Sequence, residues 1–429
     1  MNEEWQGDKV FVGRQKSLVP LPIFIPDEAR RSHTLVVGMT GSGKSTTLRS
    51  LIYQDLKANK SVLIVDGKGD PDLISGFASS FQHIVFSRSP EGNCYFNPLK
   101  GEVHEVVSNF FTACADKFQQ SYYKEFARSL LTGYLEICKE LNEEPSFIEL
   151  AQLCHSVDAY KDVIISIKNP LIRAKFAPLF EMKVGEYKEK HSGLGAVVQN
   201  IVSSPWIKYL ESTPELPELK VEDLGESPSC IYVGLQKLSN LDSAAIVGRL
   251  LLLKVGNLSA KRASGGSISP TVSVFVDELH GVAYQGLEAL VQTARSSRIM
   301  LTLSTQTLSD LDSVSPNFTM QIMTNTAVKI IHQQNSHKDA DAWAKHFGDI
   351  SFKDKAGIGF LGGFFDFLAT PPEASGGSIK GRLKEERVWY LEPNEFKNLK
   401  RGIAVIEVNL PNSKRIQKCK VKALQLGVK

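Results

Sequence analysis

Long apolar runs are missing from this chain, and so is any imbalance of charge. The longest leucine run, Leu250 to Leu253, stops at Lys254, well short of the roughly 18 residues a membrane span needs. Lys and Arg number 50 against 47 Asp and Glu, a net charge of +3. Any nucleic-acid contact must therefore come from local patches rather than overall charge. The six cysteines form no C-x-x-C pair, which leaves them as reduced, buried thiols of a cytoplasmic protein. No signal peptide precedes the first strand-like segment. No internal repeat occurs at a solenoid period. What remains, at 429 residues with 42% hydrophobic and 23% charged, is an ordinary globular chain long enough for two or three domain-sized units.

Gly38-Met39-Thr40-Gly41-Ser42-Gly43-Lys44-Ser45 meets the phosphate-loop pattern G-x-x-x-x-G-K-[ST] at every fixed position. Thr34 to Val37 reads as a short buried strand before it. Thr46 to Ala58 reads as a helix after it, with Leu48, Leu51, Ile52 and Leu56 at helical spacing. The glycines let backbone N–H groups close on phosphates, and the helix N-terminus adds a partial positive charge. Lys44 is placed to reach the β- and γ-phosphates and Ser45 to ligate Mg²⁺. Gly38, Thr40, Gly41, Ser42, Gly43 and Thr46 complete the expected nucleotide contacts.

The second decisive stretch is Thr271-Val272-Ser273-Val274-Phe275-Val276-Asp277-Glu278. An apolar strand ending in two acids is weak evidence alone and strong beside a phosphate loop. Asp277 is expected to hold Mg²⁺ through water, and Glu278 to orient or deprotonate the attacking water. Ile299 to Ser304 reads as the next strand, ending at Thr305-Gln306. A Gln there reaches the γ-phosphate or the water, or merely caps the strand.

The rest of the chain reads as follows. Residues 1–30 form an N-terminal arm whose Pro20, Pro22 and Pro26 suit an edge strand or cover. Arg30, Arg31 and His33 read as a solvated loop, with nucleotide contact the alternative. Ser61 to Val65 is a buried strand running into Asp66-Gly67-Lys68-Gly69-Asp70. That loop stands at a carboxyl strand end, where ligands bind in open parallel sheets, or else is a plain turn. Residues 104–200 show helical spacing and few strand signals, with Ser146 and Glu149 as a capping box. Lys44 and Asp277 stand about 230 residues apart, far more than the roughly 30 of a βαβ unit, and a helical insertion explains the gap. The expected division is an arm at 1–30, a nucleotide-binding unit split over 31–103 and 201–429, and an all-α insertion at 104–200. Residues 351–386 read as a flexible loop. In the tail, Lys418, Lys420 and Lys422 alternate with Cys419, Val421 and Ala423, an edge strand guarded by lysine or a DNA-contacting tail.

Several of these segments, together with Phe96-Asn97-Pro98-Leu99, Val276-Asp277-Glu278 and Ser304-Thr305-Gln306, resemble the type IV secretion coupling proteins. These are the TraG/TraD-like motor ATPases of conjugation within the HerA–FtsK superfamily. The resemblance spans most of residues 30–410 and is weakest in the helical insertion. It implies an α/β, RecA-like P-loop NTPase domain with a mostly parallel central sheet, an all-α domain, and a homo-hexameric ring. It implies ATP and Mg²⁺ as cofactors, DNA as the cargo, and a relaxase, or relaxosome, and a secretion channel as partners. Carried over, Lys44 and Ser45 bind phosphate and Mg²⁺, Asp277 and Glu278 form the Walker B pair, and Gln306 is the sensor. Arg295, in Thr-Ala-Arg-Ser-Ser-Arg, is the candidate arginine finger, with a structural salt bridge as the alternative. Many members carry N-terminal membrane helices and this chain shows none, so it is expected in the cytoplasm or peripheral at the inner membrane. The rival readings are a HerA- or FtsK-like DNA pump in repair or segregation, and an ATP-gated adaptor that recruits protein substrates. Lys353, Lys355, Lys380, Arg382 and Lys384 are the expected DNA-phosphate contacts.

Overall fold

A computed structural model describes residues 5–6, 8–16, 20–76, 78–81, 83–85, 92–118, 121–235, 241–351, 387–411 and 413–421. Among them, the strands in chain order are β1 (Trp5–Gln6), β2 (Lys9–Gln15), β3 (Pro22–Pro26), β4 (Thr34–Val37), β5 (Ser61–Asp66), β6 (His83–Val85), β7 (Cys230–Gly234), β8 (Val272–Asp277), β9 (Ile299–Thr305), β10 (Val328–Ile331), β11 (Asp349–Ser351), β12 (Arg387–Trp389), β13 (Ile403–Leu410) and β14 (Ser413–Val421). One large sheet runs β1-β2-β14-β13-β10-β4-β9-β8-β5-β7-β6, with β3 branching from β2. The seven strands from β10 to β6 are mutually parallel, and the wing from β13 to β1 is antiparallel.

Alternation of side chains across the pleat divides the core in two. Leu35, Val37, Leu63, Val65, Val274 and Val276 face one side with the helical segment. Val36, Val62, Ile64 and Phe275 face the other, with the phosphate-loop helix and the arm. That helix, Lys44–Lys57, buries Thr47, Leu48, Leu51, Ile52 and Asp55. Ala58 caps its last carbonyls, and Asn59 at φ 53° turns the chain back into β5.

Helices occupy most of the chain from Val103 to Leu210, ten residues past the expected end. The capping box expected at Ser146 is incomplete. Ser146 accepts from the amides of Ile148 and Glu149, but its own N–H donates to the Tyr134 hydroxyl at 2.7 Å. Tyr134 in turn donates to Glu149 Oε2 at 2.9 Å, so the phenol takes the place of the direct return bond.

Three other expectations are corrected. Residues 30–33 are not a solvated loop. Arg30 is 1% exposed and makes a bidentate pair with Asp55 at 2.7 and 2.6 Å, while Lys60 holds the same carboxylate at 2.8 Å. His33 donates from Nε2 to the Val291 carbonyl at 2.7 Å and accepts at Nδ1 from the Leu301 amide at 3.1 Å. The tail strand is not an edge over the lysine-bearing end expected to be one. β14 pairs with β13 along its length and with β2 at Cys419–Val421, because the N-terminal arm supplies the outer strands. Lys420 does point to solvent and Cys419 and Val421 are buried; Lys422 lies outside the described residues. Finally, the helix Leu241–Ala263 contains a stretch, Asp242–Ala263, long and apolar enough to cross a membrane by length and composition. Arg249 and Lys254 interrupt the apolar run, but the sequence already reads Ala244 to Leu258 as a mostly apolar, buried helix, as observed. It lies in the core, with Ala244, Val247, Leu251 and Val255 at 0–1% exposure.

Candidate nucleotide site

Parallel pairing brings four strand ends to one edge of the sheet: β4 and the phosphate loop, then β9, β8 and β5. Crevices at the carboxyl ends of such strands are where α/β sheets bind ligands. The strand carrying Gln306 is inserted between the phosphate-loop strand and the strand ending at Asp277.

The loop is shaped by its surroundings. Gly41 and Gly43 sit at φ 78° and 120°, the left-handed region that glycine tolerates. Gly38 has no room for a side chain, since a Cβ would lie 2.5 Å from His332 Cβ and 2.7 Å from Ser42 Oγ. The Met39 amide donates to the Gln333 carbonyl, and the Gly402 amide to the Ser42 carbonyl, both at 2.9 Å. The loop is thereby fastened to β10 and to the start of β13. Lys44 is 5% exposed and its Nζ donates to the Gly38 carbonyl at 2.7 Å. Burial lowers its pKa against the opposing pull of Glu278 and Asp277. Ser45 and Thr40 are exposed at the mouth, and Thr46, the third residue of the helix, is half-buried.

Asp277 is 5% exposed. Its Oδ1 accepts from the Glu278 amide at 3.0 Å, and burial followed by Glu278 raises its pKa. Asp66 pairs with Asp277 across β5 and β8, and burial together with that neighbour pushes it up to about 6. Two buried acids side by side suit a cation. Glu278 stands at φ 55°, ψ 53°, off the end of the strand and over the crevice. Burial raises its pKa, but Lys68 and Gln306 outweigh that and hold it below the usual range. Gln306 Nε2 donates to Glu278 Oε1 and Oε2 at 3.1 and 3.2 Å, and its Oε1 accepts from Thr40 Oγ1 at 3.2 Å. A capping box between Thr307 and Asp310 fixes the turn that follows Gln306.

The structure thus brings Gly38, Thr40, Gly41, Ser42, Gly43, Lys44, Ser45, Thr46, Asp277, Glu278 and Gln306 to one crevice. Arg295 is elsewhere. It lies in the turn after the helix Leu287–Thr293, at the amino end of β9, exposed. Seven strand residues at about 3.3 Å each separate it from the Gln306 end. Among the described residues it makes no ion pair, so the structural salt bridge expected as its alternative is not formed. Lys353, Lys355, Lys380, Arg382 and Lys384 fall outside the described residues. Sequence reasoning gave no role to Lys68, whose Nζ meets Glu278 Oε1 at 2.7 Å. The charged Asp66–Asp70 loop was the visible signal, but its partner across the sheet was not.

The site fits ATP with Mg²⁺. Ser42 Oγ is buried without a hydrogen-bond partner, and the glycine cradle faces the same place. Among the described residues, no group of three or more His, Cys, Asp or Glu forms a cage for a metal. A hydroxyl, a carboxylate and phosphate oxygens are what Mg²⁺ takes in nucleotide sites.

A phosphate loop, an Asp-Glu strand end and a polar strand end between them define a P-loop NTPase with a RecA-like sheet. A family profile described as the central domain of helicase HerA matches residues 10–251, more than half the chain, and the chain belongs to that family. A second profile, the TraM recognition site of TraD and TraG, matches residues 271–358. A stretch of 51 residues is 43% identical to the type 4 coupling protein DotL of Legionella pneumophila subsp. pneumophila, covering 12% of this chain and 6% of that protein. Among solved structures, the plasmid coupling protein TrwB with a non-hydrolysable GTP analogue superposes with TM-score 0.66 at 17% identity, over 94% of this chain and 88% of that one. TrwB with ADP and Mg²⁺ gives 0.67 at 16% identity, over 95% and 88%. VirB4 of Thermoanaerobacter pseudethanolicus gives 0.60 at 14% identity, over 98% of both chains. The fold expected from the motifs is the one observed, and the family matches agree with the coupling-protein resemblance.

Proposed function

We propose that this protein is an ATP-driven DNA motor of the coupling-protein type, feeding DNA, with a relaxase, to a type IV secretion channel. The observation that carries the reading is the juxtaposition of Lys44, Asp277, Glu278 and Gln306 at adjacent strand ends. Lys44 would hold the β- and γ-phosphates, and Ser45 and Asp277 would hold Mg²⁺. When bound, Mg²⁺ would offset charge on the transferring phosphoryl group. Glu278 takes the proton of the attacking water, and Gln306 senses the γ-phosphate. The matches to coupling proteins support DNA as the cargo, a homo-hexamer as the working form, and a cytoplasmic place with docking at the inner membrane through a partner. The helical segment serves as a separate domain inserted near 104–200. The HerA profile over residues 10–251 also favours a DNA pump in repair or segregation as a second reading.

The test is ATP turnover with and without single- and double-stranded DNA, over a salt series. Stimulation by DNA that fades steeply with salt is expected, because phosphate contacts release counterions. Turnover indifferent to both forms of DNA would leave an adaptor role instead.

A further inference from the structure

Lys68 is a cation that phosphate binding leaves unassigned. The Asp66 carboxylate at the end of β5 accepts from the amides of Lys68 and Asp70 at 2.9 and 2.8 Å, and from the Tyr232 hydroxyl at 2.9 Å. The loop is thus wound around a buried acid, and this aims the Lys68 side chain toward β8. There its Nζ lies 2.7 Å from Glu278 Oε1, with the two side chains 42% and 4% exposed. Gln306 grips the same carboxylate from the other flank at 3.1 and 3.2 Å. His280 Nδ1 stands 3.6 Å from Oε2. A carboxylate accepts at about four positions, and here three are occupied, one of them by a full positive charge.

A general base must offer a lone pair to water and accept its proton. An ammonium at hydrogen-bond distance occupies an oxygen lone pair that the water would need. The Glu278 seen here is held back from catalysis. The clamp also reaches the phosphate loop, because Gln306 Oε1 accepts from Thr40 Oγ1 at 3.2 Å. Thr40, Gln306, Glu278 and Lys68 therefore form one polar chain across the ends of β4, β9, β8 and β5.

We propose that Lys68 is a brake on this site: it clamps the Glu278 carboxylate and holds turnover down even with ATP in the loop, until the lysine swings out. Lys68 is a positioning residue, acting through Glu278. Gly67 and Gly69 flank it, Gly69 at φ 62°, so the backbone that must move for release is permissive. The partly exposed side chain has solvent to swing into. The other charges near the pair are Asp66, Asp277 and Lys44, and none of them needs to move. The inference rests on the reading of Glu278 as the base.

The test measures steady-state ATP turnover of the full chain without DNA, in Lys68→Gln, Lys68→Arg and Glu278→Gln enzymes and the Lys68→Gln/Glu278→Gln double variant. Lys68→Gln is expected to raise kcat about tenfold, a fraction of the roughly 10²–10⁴ that a positioned base contributes, with KM for ATP changed less than about twofold. Lys68→Arg keeps a cation within reach of Glu278 and is expected to stay near the parent. The double variant is expected to be as inactive as Glu278→Gln, since Lys68 acts only through that carboxylate. A Lys68→Gln enzyme with kcat unchanged or lowered overturns the brake, as does an equal rise in both Lys68 variants. If Glu278→Gln abolishes turnover while Lys68→Gln fails to raise it, the brake alone is wrong. If Glu278→Gln leaves turnover intact, the reading of the base itself has failed.

Discussion

Glu278 sits in a left-handed conformation that costs a non-glycine residue about 1–2 kcal/mol. Its backbone is turned off the strand axis, which lifts the carboxylate out of the sheet edge and between Lys68 and Gln306. Asp277, one residue earlier, stays in the strand and is buried against Asp66. Adjacent acids with opposite pKa shifts, Asp277 up and Glu278 down, suit different tasks: one shares a cation, the other stays ionised. Lys44→Ala removes the only lysine in the cradle, and its ATP turnover is expected to fall about 10²-fold or more, in the range seen when one preorganised donor is lost. Nucleotide binding should weaken with it. Glu278→Gln is expected to bind ATP with little change and to lose about 10²–10⁴ in kcat. Equilibrium binding of a fluorescent ATP analogue, measured beside turnover, separates the two effects, and undiminished turnover in both would remove this crevice as the active site.

At the scale of elements, the crevice depends on what fastens the strands behind it. His33, at φ 65°, ties the start of β4 to β9 and to the helix Leu287–Thr293 through both ring nitrogens. That bonding requires the neutral Nε2–H tautomer, since a proton on Nδ1 would face the Leu301 N–H. Burial lowers the His33 pKa from 6.5 to about 4. His332, at the end of β10 beside the loop, is likewise lowered by burial to about 4. Each group binds fewer protons folded than unfolded between those values, so its contribution is present above about pH 6.5 and is lost as pH falls toward 4. Asp66, raised to about 6, and Asp277, raised by burial, work in the opposite direction, so the histidine contribution shows in the difference between parent and variant. Asp55 and Glu407, both held near 2 by their cations, add their losses only below about pH 4. In magnesium-free urea unfolding at pH 7, 5.5 and 4.5, His33→Asn is therefore expected to lose less stability across this window than the parent. Parent and variant profiles that run parallel from pH 7 to 4.5 would refute the assignment.

For the whole molecule, the placement of Arg295 decides what it can do. It stands at the opposite end of β9 from Gln306, roughly 20 Å away by strand rise, and cannot reach the crevice of its own subunit. It is exposed and holds no ion pair among the described residues. We propose that it serves a neighbour's crevice in the ring, where such fingers are worth about 10³–10⁵ in turnover. Lys44→Ala and Arg295→Ala enzymes should each be inactive alone. Mixed together they should regain activity, because some interfaces then join an intact Lys44 to an intact Arg295. Mixed oligomers that form but stay inactive would exclude the finger, and full DNA-stimulated turnover by Arg295→Ala alone would do the same.

Local order was legible without the fold. The glycine spacing of 38–45, the apolar run into Asp277-Glu278 and the lone Gln after Ile299–Thr305 each encode their own geometry, since phosphate loops and strand ends are made by neighbours in sequence. Leu35, Val36 and Val37 announce a buried strand on composition alone. What surrounds each motif came from partners far along the chain. Arg30 and His33 read as solvated because charged and polar residues before a glycine loop usually are, and only packing against Asp55, Val291 and Leu301 buried them. The tail looked like an edge until the arm, some four hundred residues earlier, paired with it. Tyr134 displaced the return bond of a capping box that four local residues had promised. Lys68 could be seen as a charge in a turn, but its pairing with Glu278 exists only because β5 and β8 lie side by side in register. Short-range patterning determined which groups are present at the crevice; the order of strands in the sheet decided which of them touch.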